Sequence, residues 1–238
     1  MACRGLILLS LVLVLVLALA TGRVSAQGDA GTVPSVSTCM KIGDDWAADR
    51  EAACLRELRD RVSRKGELLT IRLDSGKIKT YQNDQKACQN DDAQHCVHFA
   101  LISYHPETRV YAIGISYYEG RSVELLSART GATLKLSGVP HFTPDGSRFV
   151  AIDNDYAYGG EHDLAIGSAA NGELSLQWQS APANQPREWR FEHWVDNDHV
   201  ALQVFPADSG QKCPVDDCNA FLVRFGQGWT VRPSPLPW

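Results

Sequence analysis

Beyond its first twenty residues the chain has no apolar run long enough to cross a bilayer, and it has no surplus of basic residues. The first absence predicts no membrane span in the mature chain. The second predicts no binding of nucleic acid, because displacing counterions from a polyanion needs clustered Lys and Arg. Also missing are a Gly-x-Ser-x-Gly nucleophile elbow, a phosphate-binding loop, a dinucleotide fingerprint and a His-Glu-x-x-His zinc motif. No residue is therefore assigned a catalytic role.

The one long apolar run lies at the start. It extends from Leu6 to Ala20 with only Ser10 interrupting it, follows Arg4, and leads into small residues ending Val24-Ser25-Ala26 before Gln27. Such a run is short for a membrane span and fits a signal peptide, residues 1–26, cleaved after Ala26, with Ala20 as the alternative site. Cys3 precedes the run, so no cysteine stands at a lipoprotein position. The mature protein is expected to be periplasmic or secreted. Cleavage removes Arg4 and Arg23 and leaves 21 basic against 28 acidic side chains on 212 residues, a length that one all-β domain can fill.

Six cysteines remain: Cys39, Cys54, Cys88, Cys96, Cys213 and Cys218. An even number in an exported chain points to disulfides. Short loops close most readily, which predicts the pairs Cys39 with Cys54, Cys88 with Cys96, and Cys213 with Cys218. A zinc site using His95, Cys96, His98 and the Cys213 to Cys218 turn is the competing reading.

Residues 27–66 read as an arm followed by a short helix. Asp44 or Asp45 can cap the helix, Ala48, Ala52, Leu55, Leu58 and Val62 recur at helical spacing, and Gly66 can stop it. From Glu67 the pattern changes to short β-like runs, and these repeat. A strand, a Gly-containing turn and a strand occur around Gly76, Gly131, Gly172 and Gly228. Between them lies a second unit, clearest as Phe142 to Ile152 with Pro144-Asp145-Gly146 in its turn. It recurs at Tyr104 to Ile113 and, with Asp196-Asn197-Asp198 replacing that turn, at Phe191 to Leu202.

The Phe142 to Ile152 segment resembles the Pro-Asp-Gly variant of the WD40-like β-propeller repeat, common in bacterial envelope proteins. The resemblance extends over residues 67–232 with a period of about 40 to 50 residues. It implies an all-β fold of propeller-like, antiparallel four-stranded meanders behind the short N-terminal helix, with 233–238 as a Pro-rich tail. Three meanders preceded by half of another fall short of the four to eight blades that close a ring. A two-sheet β-sandwich is the alternative.

In such meanders the tight turns gather at one edge and the longer connections at the other, where function is expected. Two of the longer loops look alike: one holds Tyr117 and Tyr118, the other Tyr156 and Tyr158, and a third has Phe205. Their rings could bind a flat ligand, a sugar or a peptide. Asp153, Asp155, Glu161 and Asp163 share one loop and could supply oxygens to Ca²⁺; no other cofactor is indicated. The function expected is a binding or protein-interaction module for an unidentified protein or small molecule. The alternative is a secreted, carbohydrate-active hydrolase drawing its acid and base from Glu119, Glu161 and Asp163.

Overall fold

In the computed structural model the described residues are 37–38, 48–155, 157, 162–181, 187–206 and 218–233. They are mostly strand, arranged in four antiparallel sheets with two short helices. The first sheet holds β2 (Val62–Lys65), β3 (Leu68–Arg72) and β4 (Ile78–Gln82). The second is a meander of β5 (Val97–His105), β6 (Val110–Tyr117), β7 (Arg121–Ser127) and β8 (Thr133–Leu136), with the two-residue β1 (Ser37–Thr38) beside β5. The third is β9 (Val139–Phe142), β10 (Arg148–Ile152), β11 (Leu164–Ser168) and β12 (Ser175–Gln179). The fourth is β13 (Arg187–Asp196), β14 (His199–Pro206), β15 (Asn219–Phe225) and β16 (Gly228–Pro233). Four sheets replace the two of a sandwich.

Strand composition explains the stacking order. β6, with sequence VYAIGISY, is buried from Val110 to Ile115 on both faces, as is β10 from Phe149 to Ile152. A strand covered on both sides reads as a continuous apolar run, whereas a strand at the end of a stack alternates. β3 and β15 alternate. The second and third sheets are accordingly internal. Tyr111 and Ile113 of β6 pack on Leu69 and Ile71 of the first sheet. Their neighbours Val110 and Ala112 face Phe149 and Ala151 of the third. Val150 and Ile152 of β10 then meet Val200, Leu202 and Leu222 of the fourth. Each fully buried aliphatic side chain in these layers contributes roughly 1.5–3 kcal/mol of transfer free energy. Among the described residues three such cores join consecutive sheets, and none joins the fourth to the first.

The N-terminal helix is shorter than its apolar spacing predicts. α1 spans Ala48–Glu57, and Val62, which continues the helical period, belongs instead to β2. Val62 turns into the same core as Leu69 and Ile71, and Gly66, with φ +56°, makes the β2–β3 hairpin turn rather than a helix stop. The first sheet therefore gains a strand upstream of Glu67. In chain order α1 stands where each later sheet has its first strand. It is fixed there by Glu51, whose buried carboxylate accepts two hydrogen bonds from Arg64 of β2, one at 2.9 Å, and one from the Leu101 N–H of β5 at 2.6 Å.

Polar clamps tie the sheets together along the tight-turn edge. Asp74 accepts from Arg61 at 2.8 Å and from Arg109 of the second sheet at 3.0 Å. Arg129 of the second sheet donates to the Asn171 carbonyl of the third at 3.0 Å. In the Pro-Asp-Gly turn Asp145 accepts from Thr143 and Ser147 and from Asn197 of the fourth sheet, while Arg148 pairs with Asp198 at 2.8 Å. These bonds hold the Asp145 carboxyl well below the usual range, the Thr143 hydroxyl contributing most.

Candidate functional site

The opposite edge, where the longer connections run, carries an open cleft of about 930 Å³. One wall is the start of β7, from Arg121 to Val123; the floor is Ser137, Gly138 and Val139 with Ile152 at the end of β10; the far wall is Glu188 to Phe191 of β13. The floor exists because residue 138 is glycine. A Cβ there would lie 2.0 Å from the Ile152 carbonyl oxygen, so no other residue lets the β8–β9 connection press against the end of β10.

The segment leaving β10 is pinned to the far wall. The Asn154 carboxamide accepts from the Trp189 N–H at 2.8 Å and donates to the Trp189 carbonyl at 2.9 Å. The Trp189 indole donates to Asp163 at 3.3 Å, and the Asp153 N–H donates to the Asp163 carbonyl at 2.9 Å. Asp153 and Asp155 are therefore tied into turns, with the Asp155 N–H donating to the Asp153 carboxylate at 3.0 Å and the Ala157 N–H to that of Asp155 at 3.2 Å. Below them His141 stacks on Phe191, ring centroids 4.1 Å apart. Burial pushes its imidazole down to about 4, so it is neutral at neutral pH. The Arg190 guanidinium lies over the Phe205 ring at 5.4 Å. The cleft thus combines an apolar floor, covered aromatic rings and a rim of both charges.

The residues singled out by sequence divide into three groups. Phe205 lines the cleft but is only 5 % exposed, and Asp153 and Asp155 also line it. Tyr117 and Tyr118 are on the neighbouring hairpin and outside the cleft lining. The Tyr117 hydroxyl bonds Ser122 at 3.1 Å and accepts from Lys135 at 2.8 Å, while that of Tyr118 donates to Asp91 at 3.4 Å. Tyr156, Tyr158 and Glu161 lie outside the described residues. Among the described residues no three metal-ligating side chains converge, the Asp153, Asp155 and Asp163 set included. Sequence reasoning did not single out Asn154, Gly138, Trp189 or Arg190. Gly138 and Pro140 between two strand patterns were the available signal of a tight, special connection there.

Cys88 and Cys96 form a disulfide, Cα–Cα 4.5 Å, as short-loop closure predicts. With Cys96 so bonded, the His95, Cys96 and His98 zinc reading loses its thiolate. Cys54 and Cys218 are also disulfide-bonded; Cys39 and Cys213 lie outside the described residues. No helix among the described residues is long and apolar enough to cross a membrane. Comparison with known proteins finds no matching family model, no matching curated protein and no matching solved structure.

Proposed function

We propose that the chain is an exported, propeller-like binding or protein-interaction module of the WD40-like kind, and that it receives its ligand in the cleft of the loop edge. The cleft itself carries this reading. Its volume of about 930 Å³ is at the upper end of the roughly 300–1,000 Å³ of ligand pockets, and its lining mixes Val139, Ile152 and buried aromatic side chains with polar and charged groups from Arg121 to Arg190. The contrast between edges supports it further. The tight-turn edge is occupied by clamps between neighbouring sheets, which leaves the loop edge as the side whose irregular backbone can serve recognition. Tyr117 and Tyr118 extend the same edge as exposed aromatic surface. Export fits the leader-like run and the oxidised cysteines.

Ser137 is exposed, lines the cleft and belongs to no core, so Ser137→Trp fills the space without disturbing the sheets. Peptides, oligosaccharides and small metabolites are screened by ligand-observed NMR against the wild-type protein and this variant. The reading expects at least one ligand whose signal is lost in Ser137→Trp at unchanged melting temperature. Ligands bound equally by both proteins would contradict it.

A further inference from the structure

β13 is the first strand of the fourth sheet and, among the described residues, pairs only with β14, leaving its other edge without a strand partner among them. That edge forms the far wall of the cleft. Along an unpaired edge every second residue directs its N–H and C=O away from the neighbouring strand. Trp189 is one of these, since the Asn154 carboxamide holds both its N–H and its C=O. A side-chain amide that accepts from and donates to one residue reproduces the two hydrogen bonds an antiparallel strand would exchange with it. By the same period Phe191, two residues on, directs its N–H and C=O toward the cleft, and the register shifts immediately after it. The open stretch is therefore short and begins beside a strand-like group already in place.

The other bare edge near the cleft is closed to such pairing. Among the described residues β9 pairs only with β10, and Pro140 in its middle has no N–H to offer. The aromatic rings, for their part, are not presented as sugar platforms. Trp189 is 6 % and Phe205 5 % exposed, Arg190 covers the Phe205 ring, and His141 covers a face of Phe191. The rim carries both signs, with Arg121 and Arg190 alongside Asp155 and Glu188, which suits the mixed side chains of a peptide rather than a ligand of one charge.

We propose, resting on the binding reading above, that the cleft takes an extended peptide segment, whose backbone adds to β13 as a short strand. Its main chain exchanges hydrogen bonds with Phe191 next to Asn154. Its alternate side chains contact the floor at Ser137 and Val139. Main-chain pairing supplies affinity in this mode and the floor supplies selection.

The test uses the disulfide-bonded protein and a pool of capped, linear eight-residue peptides of randomised sequence, with neutral oligosaccharides run in parallel. A peptide recovered from the pool is N-methylated one position at a time. Strand addition expects methylation to weaken binding about tenfold, roughly one backbone hydrogen bond, at the single amide that donates to the Phe191 carbonyl and little elsewhere. It also expects the Phe191 amide to become protected from hydrogen exchange only when peptide is added. Peptide binding that no single N-methylation weakens, or a Phe191 amide already protected in the free protein by another part of the chain, overturns the proposal but leaves a binding module. So does binding of oligosaccharide in the cleft with no peptide bound. If neither class binds, the proposal fails, and the broader reading fails with it when the small metabolites of the first screen do not bind either.

Discussion

His105 and His141 lie near the core and are neutral for the same reason. Burial pushes each imidazole from 6.5 down to about 4. The unfolded chain takes up these protons first, so stability falls as pH drops from about 6.5 to about 4, on the order of 3 kcal/mol for each histidine. Urea unfolding at pH 7 and pH 4 measures this loss. His141→Phe, which can keep the stack on Phe191, is expected to remove about half of it, the other half remaining with His105. Asp74 and Asp145 act in a lower window. Their carboxyls are held below the ordinary value, by Arg61 and by Thr143 in the first place, so their contribution is present above about pH 4 and lost below it. Glu51 shows what sequence conceals at this scale. Its place among helix charges reads as a solvated face, yet Arg64 and the Leu101 N–H draw it into a buried site. Helical spacing cannot reveal a partner thirteen residues away on a strand. Glu51→Ala leaves the Arg64 guanidinium unpaired at that site, with an expected loss of about 3–5 kcal/mol in denaturant unfolding.

The elements were legible where one period dominated. The Gly-centred hairpins β7–β8 and β15–β16 and the Pro-Asp-Gly hairpin β9–β10 follow turn chemistry that hydrophobic runs leave visible. β2 was not legible, because Val62 satisfies the helical period of α1 and the inward position of a strand equally well; tertiary packing decides between them. The α2 helix (Gln85–Gln89) is too short to persist alone. It depends on the Asp84 side chain accepting from the Ala87 N–H and on the Cys88–Cys96 disulfide. A loop of this length contributes about 2.5 kcal/mol by chain entropy. The double variant Cys88→Ser, Cys96→Ser should lose stability by that order in thermal or urea unfolding while the sheets' circular dichroism is retained. Asn154→Ala frees the Trp189 backbone pair and is expected to cost about 1–3 kcal/mol, with faster hydrogen exchange at Trp189.

At the scale of the molecule, alternation at the ends of the chain's β region and continuous apolar strands in its middle encode a stack of four sheets in sequence order. Its two edges have different chemistry. Pro-Asp-Gly and Asp-Asn-Asp turns supply the clamps of one edge, which the repeat in the sequence made visible. The cleft of the other edge arises from residues of three sheets that no linear pattern associates: Arg121, Gly138, Asn154 and Trp189 meet only after folding. The loop of Tyr117 and Tyr118 was legible by its composition, whereas its place beside the cleft and outside its lining depended on that assembly. The claim that the loop edge is the recognition surface is tested most directly by hydrogen–deuterium exchange of the protein with and without a screened ligand. Recognition at the loop edge predicts new protection confined to residues 121–123, 137–141, 153–155 and 188–191. Protection along the clamp edge instead, at residues 106–109, 143–147 and 196–198, would contradict it.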